Sequence, residues 1–218
     1  MAIDAAPPAG HILHWARAYD ALVWVVTLGR EGRFRQRLTD LARLGPGESV
    51  LDVGCGTGSL AIAAKQRVGP EGEVCGIDPA PEMVARACRK ASRAGVAARF
   101  ETASVESLPF PDAAFDAVTG TLMLHHLPDD VRVRGIAEIA RVLRPGGRFL
   151  AVDIGPGAGG RHHGLLHRFG THAHFDLASV TPVLESARFR IDDRGPVGSP
   201  RVIGIADLQF VLAARTGD

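Results

Sequence analysis

The stretch best suited to chemistry is a glycine-rich turn that follows a short apolar run. Asp52 stands inside that run, and Gly54, Gly56 and Gly58 follow at alternate positions. This order is typical of a strand, a tight turn and a helix start, where backbone N–H groups approach a ligand closely. A carboxylate there would repel a phosphate by roughly 1 to 4 kcal/mol at about 4 Å. The turn therefore favours a cationic ligand over a pyrophosphate.

The glycine spacing also differs from that of dinucleotide-binding turns. Those turns have the order Gly-x-Gly-x-x-Gly, and Ser59 occupies the place of their third glycine. Asp78 follows Gly58 by 20 residues, at the end of a second predicted strand. An acidic residue at that distance can accept hydrogen bonds from both hydroxyls of a ribose. The alternative interpretation is an ordinary tight turn without a ligand.

Three side chains near later strand ends could act as a general base. His125 and His126 follow the fourth predicted strand, and Asp153 ends the fifth. Histidine titrates near neutral pH, which suits proton transfer. Each also has a structural alternative, which for Asp153 is to cap a helix. The sequence leaves both interpretations open.

A histidine-rich segment raises the question of a metal-binding site. Between residues 162 and 174, His163 and His167 stand four positions apart, and His172 and His174 stand two apart. No acidic or thiol ligand accompanies them, so we expect pocket-lining or solvated histidines and predict no metal site.

The composition of the chain limits which partners and which cellular compartment we expect. The net charge is +1 and the chain has no basic tract, so charge alone favours neither nucleic acid nor anionic lipid. The three cysteines form an odd set, which indicates free thiols in a reducing compartment. Residues 1–10 lack signal-peptide features, and the apolar run 21–28 is too short to cross a bilayer. We expect a cytoplasmic protein.

Strand and helix patterns alternate along most of the chain. Strands are predicted at 49–53, 73–77, 97–101, 115–120, 148–153, 189–195 and 205–213, and helices at 11–28, 33–44, 60–68, 79–94, 131–143 and 177–187. This alternation predicts an α/β fold with a parallel, doubly wound sheet and helices on both faces.

The same patterns suggest three parts. Residues 1–10 are rich in alanine and proline and are expected to be disordered, and residues 11–45 would form a helical cap. Residues 46–218 would form one domain, with a substrate-covering insertion near 155–175.

Four segments together resemble class I S-adenosylmethionine (SAM) dependent methyltransferases. They are residues 50–58 (motif I), 103–112, 121–129 and the Leu-Arg-Pro-Gly-Gly turn at 143–147. The resemblance is strong over roughly residues 46–154. It implies a Rossmann-like sheet of seven strands with an antiparallel last strand.

The N-terminal segment looks like that of ubiquinone/menaquinone C-methyltransferases. The resemblance runs from Tyr19 through Thr27 and Gly29 to Phe34, and in that family such helices cap the cofactor site. It implies that Tyr19 could hydrogen-bond the SAM carboxylate or a substrate. An amphipathic tyrosine that packs on the sheet is the alternative.

The resemblance also implies a cofactor site. Its residues would be Asp52, Gly54, Cys55, Gly56 and Gly58 around the methionine part of SAM, Asp78 and Pro79 at the ribose, Met83, Ser104 and Val105 at the adenine, and Thr121 and Leu122 at the methyl group. The family often has Asp where this chain has Ser104. A serine oxygen accepts a hydrogen bond more weakly than a carboxylate.

The implied reaction moves a methyl group from SAM to an O, N or C atom of a small-molecule acceptor and leaves S-adenosylhomocysteine. In-line displacement needs alignment, and a base only if the nucleophile starts protonated. Alternatives are a phospholipid or quinone methyltransferase at a membrane surface, a non-catalytic SAM-binding module and, less favoured, an NAD-dependent oxidoreductase. We expect a monomer or homodimer without nucleic acid; the sequence allows membrane contact without indicating it.

Overall fold

A computed structural model describes residues 31–155, 175–198 and 208–217. In chain order, its elements are α1 (Glu31–Leu41), β1 (Ser49–Val53), α2 (Ser59–Val68), β2 (Glu73–Asp78), α3 (Pro81–Arg93), β3 (Arg99–Thr102), β4 (Phe115–Thr121), a 3-10 turn (Leu124–His126), α4 (Asp129–Val142), β5 (Leu143–Ile154), a second 3-10 turn (Leu177–Val180), α5 (Thr181–Ser186), β6 (Phe189–Pro196) and β7 (Leu208–Arg215).

The strands form one seven-stranded sheet in the order β3-β2-β1-β4-β5-β7-β6. Strands β1 to β5 pair in parallel, whereas β7 runs antiparallel to both β5 and β6. The predicted fold class, with its antiparallel last strand, is confirmed. The chain crosses from β3 at one edge to β4 beside β1, so the strand order reverses between β1 and β4. Open α/β sheets bind ligands at such a switch point.

Two apolar clusters cover the two faces of the sheet. Leu51 and Val53 belong to the cluster that includes residues of α4 and α5. Val50 belongs to the cluster that includes residues of α1 and α2. Successive strand residues point to opposite faces, so burial on both faces explains why the β1 sequence is apolar almost throughout.

Helix α1 ends three residues before the predicted boundary at Leu44. Arg43 adopts a positive φ of 52°. Its N–H donates to the Asp40 carbonyl, and the Leu44 N–H donates to Thr39. This left-handed ending closes the helix at Leu41. Leu44 is nevertheless buried, as its place in the apolar pattern predicted.

Other boundaries also differ from the predictions. Strand β5 begins at Leu143 and runs through the Arg-Pro-Gly-Gly turn, with a register shift against β4 between Phe115 and Ala117, instead of starting at Arg148. The predicted helix 177–187 is a 3-10 turn followed by the short α5. Pro182 lies in the first turn of α5, where a missing N–H is tolerated.

Several predictions lie outside the described residues. They concern the disordered segment 1–10, the helix 11–28 with Tyr19, and nearly all of the insertion near 155–175 with its histidines between 162 and 174. Within the described ranges, no helix is long and apolar enough to cross a membrane. In the same ranges, no group of three or more His, Cys, Asp or Glu residues could hold a metal ion. Cys55, Cys75 and Cys88 are free thiols.

Gly58 offers a test of how tightly the turn is packed. Its φ is +79°, and an added Cβ would lie 2.8 Å from Ala87 Cβ and 2.9 Å from the Phe100 ring. We expect Gly58→Ala to lower the free energy of unfolding by about 2–4 kcal/mol, because the left-handed conformation and the overpacking both contribute. Urea unfolding measures the loss.

Gly95→Ala is the matched control. Gly95 has a φ of +64° with nothing within 4 Å of an added Cβ. Its variant should lose only the conformational contribution, about 1–2 kcal/mol. Equal losses in the two variants would contradict the packing described around Gly58.

Candidate cofactor-binding and catalytic site

Four polar side chains predicted to act on a ligand lie at one edge of the sheet. The strand register pairs Val53 of β1 with Gly120 of β4 and Thr121 of β4 with Val152 of β5. Asp52, Asp78, Thr121 and Asp153 therefore all lie at the carboxyl ends of neighbouring parallel strands. This is the edge where open α/β sheets bind their ligands.

The glycine turn holds the β1 end against β2 and β4. Gly54 has a φ of +67°, and an added Cβ would lie 2.9 Å from Met123 Cβ. The Cys55 N–H donates to the Ile77 carbonyl at 2.8 Å, and the Gly56 N–H donates to Asp78 Oδ2 at 2.9 Å. Burial raises the pKa of the Cys55 thiol far above its usual range. Cys55 therefore contributes backbone to the turn and no reactive thiolate.

Asp52 is a buried carboxyl with one unsatisfied oxygen. It is 2% exposed. Thr119 Oγ1 donates to its Oδ1 at 2.7 Å, whereas its Oδ2 has no hydrogen-bond partner among the described residues. Burial raises its pKa to about 6, against the lowering effects of the Thr119 hydrogen bond, the Arg35 charge and the Ala61 backbone N–H. Burying a carboxylate oxygen without a hydrogen bond costs folding free energy. A ligand that pairs with this oxygen therefore gains binding free energy.

Asp52 is one of the residues that line a pocket of about 300 Å³, including its open mouth. The pocket is lined by Arg35, Asp52, Gly54, Cys55, Thr57, Ser59, Leu60 and Thr121. Arg35 Nε and Thr121 Oγ1 are buried and lack hydrogen-bond partners among the described residues, as Asp52 Oδ2 does. One cationic, one anionic and one neutral side chain thus line one pocket, and each has a buried polar atom that makes no hydrogen bond with the described residues.

Arg35 was not among the residues predicted from the sequence. It belongs to α1, and its side chain is 12% exposed and lies 3.5 Å from the Glu31 carboxylate. A signal was present, because Arg35 follows the buried Phe34 and stands three residues before the buried Leu38. At helical spacing, that position flanks the stripe that packs on the domain.

Asp78 anchors the end of β2. Its Oδ2 accepts from the Gly56 N–H at 2.9 Å and its Oδ1 from the Ala80 N–H at 3.0 Å. Burial raises its pKa, and these two backbone hydrogen bonds oppose the rise. Each carboxylate oxygen keeps a further lone pair for a ligand. Pro79 follows, and Met83, 4% exposed, lies in the first turn of α3.

Ser104 and Val105 follow β3 and lie near Asp78. The Ala103 N–H donates to the Asp78 carbonyl at 3.3 Å, which ties the segment to the β2 end. Ser104 donates its hydroxyl proton to the Glu106 carboxylate. Val105 is buried against Gly135 of α4, where an added Cβ would lie 2.9 Å from its methyl carbons.

His125 and Asp153 form a hydrogen-bonded pair. His125 Nδ1 lies 2.7 Å from Asp153 Oδ1. The fully buried Asp153 also accepts from the N–H groups of Leu124 at 3.0 Å, His125 at 3.2 Å and Ile154 at 2.8 Å. Since a carboxylate can only accept, the imidazole donates from Nδ1 in this pair, and in the neutral ring Nε2 is an acceptor. Asp153 therefore caps the 3-10 turn and orients the imidazole at once.

The segment that carries this histidine is held under backbone strain. Leu122, which follows β4, adopts a positive φ of 56°, and its N–H donates to the Val152 carbonyl at 2.8 Å. The His126 ring centroid lies 3.9 Å from that of His125. A left-handed leucine is uncommon, and such strain concentrates at functional sites.

Comparisons with known proteins agree with this geometry. A family model described as a methyltransferase domain matches residues 50–147. The chain is 41% identical over 153 residues to a demethylmenaquinone methyltransferase of Thermus thermophilus, covering 70% of this chain and 68% of that protein. It is 42% identical over 124 residues to a 27-O-demethylrifamycin SV methyltransferase of Amycolatopsis mediterranei, covering 56% and 44%.

Solved structures show the same fold. A SAM-dependent methyltransferase from Aquifex aeolicus matches with a TM-score of 0.73 and 22% identity, covering 90% of this chain and 98% of that one. The [4+2]-cyclase SpnF matches with a TM-score of 0.69 and 23% identity, covering 86% and 81%. Because one neighbour is named as a cyclase, the fold alone does not specify the reaction.

The fold is that of class I methyltransferases. Its marks are the strand order with an antiparallel β7 and the glycine turn that follows Asp52 at the switch point. The close relative from Thermus adds the sequence evidence, and the chain belongs to the SAM-dependent methyltransferase family. It is thus a methyltransferase, and the family implies SAM as the cofactor. The chain spans 68% of the Thermus relative but 55% of the demethylmenaquinone methyltransferase of Symbiobacterium thermophilum.

The buried Asp52 carboxyl predicts an unusual stability effect. Its pKa is raised from 3.8 to about 6 in the folded chain, so the unfolded state ionises first as pH rises from 4 to 6 and folding becomes less favourable. Above pH 6 the penalty is constant, at up to about 3 kcal/mol. We expect Asp52→Asn to raise the free energy of unfolding at pH 7.5 and not at pH 4, as measured by urea unfolding.

Asp130→Asn is the control with the opposite sign. Asp130 is exposed, and its hydrogen bond with Arg134 lowers its pKa, so its ionised form favours the folded state. Its variant should be no more stable than the parent at pH 7.5. An Asp52→Asn variant that is less stable than the parent at pH 7.5 would contradict the assigned burial penalty.

Proposed function

We propose that this methyltransferase binds SAM with its amino-acid end in the Arg35–Asp52–Thr121 pocket and methylates a small-molecule acceptor. The observation that carries the proposal is that three residues lining that pocket each have a buried polar atom without a hydrogen bond among the described residues. An α-amino acid carries an ammonium and a carboxylate at one carbon. Asp52 Oδ2 suits the ammonium, and Arg35 suits the carboxylate.

The rest of the cofactor would lie across the neighbouring strand ends. The turn of Gly54, Cys55, Gly56 and Gly58 would surround the methionine chain, and Asp78 with Pro79 would hold the ribose. Met83, Ser104 and Val105 would contact the adenine, and Thr121 with Leu122 would flank the sulfonium methyl. Helix α1 supplies Arg35, which supports a cofactor-capping role for the proposed 11–45 segment.

The free cysteines fit a reducing compartment such as the cytoplasm.

Arg35 gives the direct test of the amino-acid end. We expect Arg35→Gln to weaken S-adenosylhomocysteine binding by roughly 10- to 100-fold, because a charge-assisted hydrogen bond is lost. Binding of 5′-methylthioadenosine, which lacks the amino-acid end, should be unchanged. Isothermal titration calorimetry measures both.

Arg33→Gln is the matched control, since Arg33 is an exposed arginine on the same helix. It should leave the affinity for both ligands at the parental value. If Arg35→Gln weakens the two ligands equally, Arg35 does not bind the carboxylate. If the parent binds neither ligand, the proposed cofactor site itself is wrong.

The His125–Asp153 pair supports a role for His125 as general base. Nδ1–H donates to Asp153, so Nε2 can accept a proton from the acceptor. When the acceptor atom attacks the methyl carbon of a bound SAM, Nε2 would accept the acceptor's proton. The electron pair of the broken C–S bond would stay on sulfur, which gives the neutral thioether of S-adenosylhomocysteine. Asp153 would stabilise the imidazolium. His126, Tyr19 and the segment 155–175 remain candidates for lining the acceptor pocket.

A base is needed only for a nucleophile that starts protonated. The relatives' names point the same way, since one is a ubiquinone/menaquinone C-methyltransferase of Geobacter sulfurreducens and another methylates an oxygen of a rifamycin. A hydroxyl oxygen and an activated ring carbon both have to lose a proton. We therefore propose a hydroxylated aromatic acceptor, such as a reduced quinone, in preference to an amine or a thiolate.

His125→Gln tests the base. Glutamine can still donate to Asp153, but it cannot accept and release a proton. We expect kcat with a reduced demethylmenaquinone to fall by roughly 10²–10⁴-fold. Calorimetric S-adenosylhomocysteine affinity should be unchanged. Activity should partly recover at alkaline pH, where the acceptor ionises by itself.

His126→Gln is the paired control and should lose far less activity. Equal losses in the two histidine variants would remove the special role of His125. A methyltransferase that prefers primary amines over hydroxylated aromatics would contradict the proposed acceptor class.

A further inference from the structure

We propose that Glu106, acting through Ser104, makes the cofactor site select a 6-aminopurine over a 6-oxopurine. This proposal rests on the proposed cofactor site and adds a positioning residue to it. Glu106 accepts the hydroxyl proton of Ser104 in the segment that follows β3.

The strand order determines which part of a cofactor meets this segment. Neighbouring strand ends at one edge of the sheet are about 4.8 Å apart, and β1, β2 and β3 follow one another across the sheet. Asp52 lies on β1, Asp78 ends β2, and Ser104 follows β3 beside Asp78. A nucleoside whose amino-acid end is at Asp52 and whose ribose is at Asp78 extends its base toward Ser104.

The hydrogen bond to Glu106 determines what Ser104 can offer that base. A serine hydroxyl has one proton and two lone pairs. Since a carboxylate can only accept, Ser104 gives its proton to Glu106 and keeps only acceptor lone pairs for the ligand. The negative charge also makes the serine oxygen a stronger acceptor.

An acceptor at this position distinguishes the two kinds of purine. The 6-amino group of adenine donates a proton to Ser104, whereas the 6-oxo group of hypoxanthine presents a second acceptor and is repelled. Without the carboxylate, the hydroxyl could rotate and donate to a 6-oxo group. Glu106 thus fixes the polarity of Ser104, and it compensates for the weaker acceptor that serine provides in place of an aspartate.

Calorimetric titration with S-adenosylhomocysteine and S-inosylhomocysteine tests the proposal. The quantity of interest is the ratio of the two dissociation constants in the parent, in Glu106→Gln and in Ser104→Ala. Glutamine can donate to Ser104 and release the hydroxyl proton toward the ligand. We expect both variants to lower the preference for the adenosyl ligand by about tenfold. Glu71→Gln, in the exposed turn before β2, is the matched control and should keep the parental ratio.

Each outcome decides the proposal. A lowered ratio in Glu106→Gln, with the adenosyl ligand still bound, supports it. An unchanged ratio, or equal weakening of both ligands, overturns the role of Glu106 while leaving the cofactor site intact. If the parent binds neither ligand, the proposed cofactor site fails, and this inference fails with it.

Discussion

The site depends on one buried carboxylate that the protein satisfies only in part. Thr119 donates to one oxygen of Asp52, and the other oxygen makes no hydrogen bond with the described residues although Asp52 lines the pocket. Keeping a charge there costs folding free energy, and the raised pKa reflects that cost. The cost becomes useful when a ligand cation replaces the missing partner, because desolvation of the carboxylate has already occurred. In the proposed complex, Arg35 would supply the complementary charge for the anionic group of the same ligand.

The fold was largely predictable because burial and turn chemistry are local in sequence. β1 has the predicted bounds, because its apolar run is followed by a glycine turn that ends the strand. Two boundaries were wrong because the backbone adopts a conformation or a pairing that the apolar pattern does not specify. Arg43 ends α1 early by adopting a left-handed conformation, and β5 extends back to Leu143 because it pairs with Phe115 across a register shift. A local sequence pattern does not predict such a pairing between distant residues.

The site was predictable only in part. Asp52 and Asp78 were identified by their distances from glycines, which are local. Arg35 was missed because its relation to Asp52 depends on how α1 packs, although its place beside Phe34 was a usable signal. His125 and Asp153 were separate candidates in the sequence. Their hydrogen bond needs the parallel pairing of β4 with β5, which spacing along the chain does not reveal.

The most direct measurement is a crystal structure of the protein with S-adenosylhomocysteine. We expect the ligand ammonium within hydrogen-bond distance of Asp52 Oδ2 and the ligand carboxylate on the Arg35 guanidinium, with the ribose on Asp78. A complex in which Asp52 Oδ2 stays unpaired, or in which the amino-acid end lies away from Arg35, would contradict the central claim that the pocket is built for a zwitterion.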